Sequence, residues 1–360
     1  MTPTARKRSP LESLHHRLGA RLVDFAGWSM PLQYDGVIAE HEAVRTAAGV
    51  FDVSHLGKLR IQGLDGGQAL QRALTCDVLA LDPGRARYGL ALADDGGTLD
   101  DLFVYRLEKE WLVVPNAANV DVVAGSIREC GGSPVDEWQQ WAIIALQGPR
   151  SFDLFEAVFP GSQATALKLH RFCVLDVFGE EGLVARTGYT GERGFEIYAP
   201  ARTAEAAFEA LVEAGAKPAG LGARDTLRLE MGYALYGHEL DRDINPLEAG
   251  LSWAIAWETG FRGKESLERI RREGPRRRLF GVRLTERGVP RQGYPVTRDG
   301  RGIGSITSGN FSPTLKTGIA LALGRSGEIS EPGDKVQVHA RGRSMEGAIV
   351  EPPFVKRGRG

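Results

Sequence analysis

Apolar and polar positions along this chain fall into strand-like and helix-like registers, and the same succession of registers occurs twice. Residues 58–74 (KLRIQGLDGGQALQRAL) and 142–159 (AIIALQGPRSFDLFEAVF) each give an apolar run, a Gln-Gly turn and a helical pattern. Each unit continues into hairpin-like alternation and closes with an amphipathic helix. Val120, Val123, Ala124 and Ile127 form the apolar stripe of the first, and Ala204, Phe208, Leu211 and Val212 that of the second. Strand, helix, hairpins and helix, repeated, predict two related α+β lobes with antiparallel sheets. From Leu279 onward the pattern changes to short apolar runs, LFGVRL, GIGSI, IALAL, VQVHA and GAIVEP, separated by Gly, Pro and Asp. Such spacing predicts a small β-barrel or sandwich. The arginine-rich stretch 271–278 marks the boundary and reads as a solvated linker.

With 360 residues the chain is long enough for two or three domains. No apolar run approaches the ~20 residues of a membrane span. A formal charge of -1 argues against a nucleic-acid binder, whose affinity rests on neutralising phosphates. Cys76, Cys130 and Cys173 are odd in number and far apart, which suits reduced thiols better than a disulfide framework or a zinc site. The basic opening TPTARKRSP is followed by no apolar signal core, so a short disordered N-terminus on a cytoplasmic protein is expected. Nothing demands more than a monomer.

Candidate chemistry concentrates in two places. In ARTGYTGERGFEIYAP, alternation sends Phe195 and Ile197 to one face of a strand and Glu196 and Tyr198 to the other, beside a Gly-Tyr-Thr-Gly loop. A solvated strand face would also explain Glu196. Arg224, Asp225 and Arg228 follow in a helical stretch opened by Gly220 and Gly222. Upstream, LDDLFVYRL and WLVVPN predict a hairpin turning at Lys109, which brings Asp101 opposite Asn116 or its neighbour. The preceding strand, ARYGLALA, turns at 94–97 and sets Tyr88 on the other side of Asp101. An acid, an amide and a phenol thus converge from adjacent strands. Each has a plainer explanation: Asn116 as a helix cap, Asp100 and Asp101 as a polar strand start, Tyr88 as half-buried packing.

Other sites are poorly supported. Gly188, Gly191 and Gly194 imitate a phosphate loop, but no Gly-Lys-Ser/Thr follows. The seven histidines show no metal spacing, so no metal is expected. A Gly-x-Ser-x-Gly nucleophile elbow is absent.

The strings RLVDFAGWSMPLQY, VRTAAGVFDVSH, GGTLDDLFVYR, ARTGYTGERGFEIYAP, GLGARDTLRLEMGY and ITSGNFSPTLKTGIALA, in this order, resemble the aminomethyltransferase (T protein) family of the glycine cleavage system. The resemblance spans almost the whole chain. It implies a three-domain cloverleaf around a central opening: residues 1–51 with 142–226 as a first folate-binding lobe, 52–141 with 227–272 as a second lobe carrying Asp101, and 273–360 as a C-terminal β-barrel. It also implies a tetrahydrofolate enzyme that takes an aminomethyl group from the lipoyl arm of a carrier protein, the H protein, and releases ammonia. By this resemblance Asp101 is the catalytic carboxylate and Glu196 anchors the pterin. Arg224 binds ligand, Tyr189 and Tyr233 form aromatic walls, and Tyr236 packs. Leu56 stands where many relatives carry methionine, and Tyr88 and Asn116 complete the set. Asp100 is expected to matter much less than Asp101. Two alternatives share the fold: a folate-linked demethylase and a non-catalytic folate-binding factor of iron–sulfur assembly. The chain has YALYGHELD where the latter typically carries Lys-Gly-Cys, and it has no room for the flavin domain of oxidase-fused demethylases.

Overall fold

The two sequence units fold into the same topology. In the first, strand Leu59–Gln62 leads into helix Gly63–Ala73, then three strands (Arg85–Leu92, Thr98–Arg106, Glu110–Val114), helix Val120–Glu129 and a short strand Val135–Asp136. In the second, strand Trp141–Gln147 leads into helix Ser151–Val158, three strands (Phe172–Asp176, Glu181–Ala185, Gly194–Pro200), helix Ala204–Glu213 and strand Lys217–Pro218. In both sheets the three-strand meander lies beside the unit's own first strand, with its last strand beyond. The second sheet differs by one insertion: Gly49–Asp52 lies between the first and last strands, antiparallel to Trp141–Gln147 and parallel to Lys217–Pro218. The computed structural model describes residues 6–329, 331–340 and 342–356.

The sheets pack face to face, each covered by its own helices on the far side. Phe51, Ile143, Leu183 and Tyr198 from one sheet meet Ala86, Tyr105, Leu112 and Val114 from the other in a shared apolar layer. The outer layers are separate cores: Phe155, Phe195, Ile197 and Phe208 in one lobe, Leu70, Trp111, Val123 and Ile127 in the other. The predicted stripes account for this, since Ala204, Phe208 and Leu211, like Val123, Ala124 and Ile127, are all buried. Across the layer the Tyr198 hydroxyl donates to the Tyr105 hydroxyl at 2.8 Å, so neither phenol is stranded between the sheets.

The tail closes into a six-stranded barrel. The predicted runs fall on strands Arg277–Leu284, Arg301–Ser312, Thr317–Arg325, Lys335–Ala340 and Arg343–Val350, and the sixth, Pro295–Arg298, went unread because it is four residues long and begins with proline. Helix Leu221–Glu230 is the hinge of the assembly. Arg228 donates to Asp225 and Glu239 and, at 2.7 Å, to Ser308 of the barrel. Glu230 accepts from Arg45, from Ser312 and from Thr314.

Two expectations need correction. The stretch 271–278 is solvent-facing as expected but is not a linker: Arg271 and Arg272 end helix Lys264–Glu273, with Arg271 stacked 4.5 Å over Trp257. Arg277 already belongs to the first barrel strand, paired with Glu248 at 2.9 Å. The basic opening is not wholly disordered either: Lys7 and Arg8 pair with Trp28 and Ser29, and Lys7 lies over the Trp138 ring. Residues 1–5 lie outside the described residues. No helix among the described residues is long and apolar enough to cross a membrane.

Candidate functional site

At the end of the sheet–sheet layer, where both lobes meet the barrel, the packing leaves a cavity of about 700 Å³. Of its three lining carboxylates, two come from the inner faces of opposite sheets, Asp101 from Thr98–Arg106 and Glu196 from Gly194–Pro200, and Asp225 comes from helix Leu221–Glu230. Alternation produces this. With Phe195 and Ile197 committed to the outer core, Glu196 turns inward, where it is 8% exposed. Asp100, one residue from Asp101, points to the other side of its strand and is fully buried.

The hairpin places the polar group around Asp101 as its register requires. Phe103 pairs with Val114, so Asp101 stands level with Asn116. Asn116 Nδ2 donates to Asp101 Oδ1 at 3.0 Å, and the Tyr88 hydroxyl, from the neighbouring strand, donates to Asp101 Oδ2 at 3.0 Å. Asn116 therefore does not cap the next helix with its side chain. Burial pushes the Asp101 carboxyl up to about 6 against the opposing pull of Tyr88 and Asn116, which brings it into the range of a general base at neutral pH. Asp100 is tied into the same polar group. It accepts from Asn116 N–H and Nδ2 at 2.8 Å and from Asn119 Nδ2 at 2.7 Å, so the amide that holds Asp101 is itself held by Asp100.

Around Glu196 the arrangement suits an anchor. Thr187 donates to Glu196 Oε2 at 2.5 Å, and among the described residues the other oxygen has no protein donor. Arg224, on the first turn of Leu221–Glu230, lies with its guanidinium 4.8 Å over the Tyr189 ring, and among the described residues its buried Nη1 has no partner. An orphaned buried guanidinium nitrogen is costly, and a ligand acceptor would satisfy it. Tyr189 is fixed through its hydroxyl to the Ala234 carbonyl. Tyr233, expected on the wall, stands instead behind Tyr189 at 5.7 Å and is 38% exposed. The turn after Arg228 carries it outward, since Gly232 takes a left-handed φ of 69°. Leu56 and Tyr236 both line the cavity. The glycines of the 188–194 loop serve packing: a Cβ at Gly188 would lie 2.1 Å from Gln147 Oε1, and Gly191 turns at φ +79° against Met231.

Three groups of wall residues escaped the sequence reading. His55 faces the cavity with Nδ1 unpartnered, and burial together with the Arg224 charge pushes it down to about 3, so it is an uncharged imidazole. Its position inside the string VFDVSH, next to Leu56, was the available signal. Phe25, Leu32, Val37 and Ile38 close one side from the N-terminal segment, and Asn310, Phe311 and Pro313 close another from the barrel. Among the described residues no cluster of three or more His, Cys, Asp or Glu is placed to hold a metal ion.

The fold that frames this cavity recurs in known proteins. Residues 11–259 match the family model of the GCVT N-terminal domain, and residues 277–356 that of the glycine cleavage T-protein C-terminal barrel domain. The aminomethyltransferase of Rubrobacter xylanophilus is 47% identical over 98% of this chain and 95% of its own. That of Halothermothrix orenii is 42% identical over 97% of this chain and 100% of its own. The crystal structure of glycine cleavage system aminomethyltransferase T from Bartonella henselae shares the architecture with a TM-score of 0.91 at 31% identity, covering 97% of this chain and 98% of that one. Two family models in tandem and full-length relatives well above 30% identity lead to one conclusion: the chain belongs to the glycine cleavage T-protein family of aminomethyltransferases.

Proposed function

We propose that this chain is the tetrahydrofolate-dependent aminomethyltransferase of glycine cleavage, with the cavity as its folate site and the lipoyl carrier (H) protein as its partner, acting in the cytoplasm. The observation that carries this reading is the pair of carboxylates facing one cavity from opposite sheets, one bonded only to Thr187 and the other lifted to about 6. A reduced pterin offers an N–H and an exocyclic amine side by side, and the free oxygen of Glu196 suits such donors. Arg224, with Nη1 unsatisfied, suits an acceptor or anionic group of the same molecule. The residues present therefore fit a folate.

Bound tetrahydrofolate supplies the nitrogens that take up the one-carbon unit. The protein's part is orientation and proton handling. Glu196 and Arg224 hold the ligand, and Tyr189, Leu56 and Tyr88 enclose it against water, which converts a bimolecular encounter into a positioned one. Asp101, kept in place by Tyr88 and Asn116, takes a proton from a ligand N–H, for which a carboxyl near 6 is far better matched than an ordinary aspartate. The lobes are read as 1–51 with 142–226 and 52–141 with 227–272, with the barrel from 273.

Carrier protein loaded with the aminomethyl intermediate, mixed with tetrahydrofolate and this chain, should release ammonia only when folate is present. Asp101→Asn should lower kcat by about 10²–10⁴ with folate Kd little changed. Ammonia release independent of folate would sink the reading.

A further inference from the structure

Asp100 has no part in that scheme, yet it is fully buried and well supplied with donors. Its Oδ1 accepts from Asn116 Nδ2 at 2.8 Å and from Asn119 Nδ2 at 2.7 Å, and its Oδ2 accepts from the Asn116 backbone N–H at 2.8 Å. None of these partners has a lone pair to receive a proton, so a proton on either oxygen would face an N–H. Asp101 is placed differently. Its Oδ1 shares the Asn116 amide at 3.0 Å, and its Oδ2 faces the Tyr88 hydroxyl at 3.0 Å, a group that accepts as well as donates. A proton on Asp101 has a protein partner and an open cavity beside it.

We infer that Asp100 is a permanently ionised positioning residue, locked by Asn116 and Asn119, whose fixed charge makes Asp101 the member of the pair that takes and releases the proton. This rests on reading the cavity as the transfer site with Asp101 as its base. Burial and then the charge of Asp101 push Asp100 well above the ordinary carboxylate range, against the pull of Asn116 and Asn119; what favours the ion is the geometry, three N–H bonds donated to its two oxygens. The surroundings of Asp101 add no compensating cation. Facing it are the phenols of Tyr88, Tyr189 and Tyr236 and the carboxylate of Glu239. Arg228, beyond them, is already paired with Asp225 and Glu239. Two carboxylates that share one amide cannot both ionise easily, so a fixed charge on Asp100 opposes the ionisation of Asp101.

The test is a ¹³Cγ-aspartate NMR titration of the full chain without ligand from pH 4 to 8, with the two resonances identified by their loss in Asp100→Asn and Asp101→Asn. Asp101 should titrate with a midpoint near 6 while Asp100 stays ionised throughout. In Asp100→Asn the Asp101 midpoint should fall by about one to two pH units, because a like charge has been removed. The acid limb of kcat should move the same way, with kcat about three- to tenfold lower and the folate KM nearly constant. Asp100→Asn sets an NH₂ against the Asn116 N–H, so if that variant fails to fold, Asn119→Ala takes its place. Among the described residues the Asn119 side chain caps no helix, and its hydrogen bond goes to Asp100. Its loss should make the Asp100 resonance begin to titrate in the same window. An Asp100 that titrates near 6 in the wild type, or an Asp101 midpoint unmoved in a folded Asp100→Asn, overturns the inference. The titrations expected, with no aminomethyl transfer by the wild type, would uphold the assignment of charge and overturn the functional reading instead.

Discussion

Asp101→Asn should cost activity and stabilise the protein, and the size of the gain can be worked from the site. The new amide can keep both existing contacts, its oxygen accepting from Asn116 and its NH₂ donating to a rotated Tyr88 hydroxyl. What disappears is an ionisable group held at about 6 instead of its ordinary 3.8. The sign follows from proton linkage. Between about pH 4 and 6 the native state binds the proton that the unfolded state has released, so stability falls as pH rises through that window and stays lowered above it. At about 1.36 kcal/mol per pH unit, the ionised, buried Asp101 costs about 3 kcal/mol at neutral pH. Unfolding releases about 2.1 cal/mol/K per residue, so for a chain of 360 residues this corresponds to a rise in Tm of about 4 °C at pH 8. Scanning calorimetry of both proteins at pH 8 and pH 4 measures it. The gain should shrink towards zero at the lower pH, where wild-type Asp101 is protonated. A variant no more stable than wild type at pH 8, or one equally stabilised at both pH values, would refute the placement of a strained carboxylate here.

Further predictions concern binding, the barrel and the carrier. Glu196→Ala should weaken folate binding on the order of ten- to a hundredfold by calorimetry, the worth of one charged hydrogen-bond anchor, whereas unchanged Kd would return Glu196 to ordinary strand packing. Glu230→Gln should destabilise the chain by about 1.5–3 kcal/mol in urea at pH 7, because buried Arg45 loses one of its two carboxylates and keeps only Glu192, and no loss would make that network dispensable. Burial raises Glu230, but His41, Ser312 and Arg45 outweigh it and hold it at about 2, so wild type should lose this support as pH falls from about 4.5 towards 2 and the variant should not show that slope. Charge reversal at Arg272 and Arg276, both exposed, should weaken carrier docking and flatten its salt dependence with folate affinity intact; equal affinities at two ionic strengths would move the docking surface elsewhere.

What could be read from the sequence is what local periodicity encodes. The duplicated topology followed from two strand–turn–helix patterns, and the meeting of Tyr88, Asp101 and Asn116 followed from counting residues across one hairpin. The orientation of Glu196 followed from alternation alone. Long-range neighbours were not encoded that way. Asn310 and Phe311 reach the cavity because the barrel docks on helix Leu221–Glu230, and nothing in their own segment announces it. His55 has no partner nearby in sequence to mark it. The partners of Asp100 were not legible because a period-two reading says which face a residue takes but not what waits there, and Asn119 lies a full strand away. For Arg271 and Arg277 charge predicts solvent, which both keep in part, but not the Trp257 ring and the Glu248 carboxylate that distant turns bring to them.

The cavity wall is drawn from segments that leave the ribosome far apart in time. Phe25 and Leu56 emerge early, and Phe311 and Pro313 only near the end of synthesis. At roughly 5–20 residues per second, more than 250 residues separate Leu56 from Pro313, a delay on the order of tens of seconds. In roughly the last third of that interval the two sheets, complete at Pro218, can close on each other, yet the site lacks a side, and a ligand gains little by entering. Binding energy is therefore available only to the finished chain. A ligand that grips all three bodies acts as a late clasp, protecting completed molecules from proteolysis and doing nothing for nascent ones. The ratio of full-length protein to barrel-less fragments in a cell should then follow the supply of that ligand, a link between metabolic state and protein quality control that arises from where the walls come from.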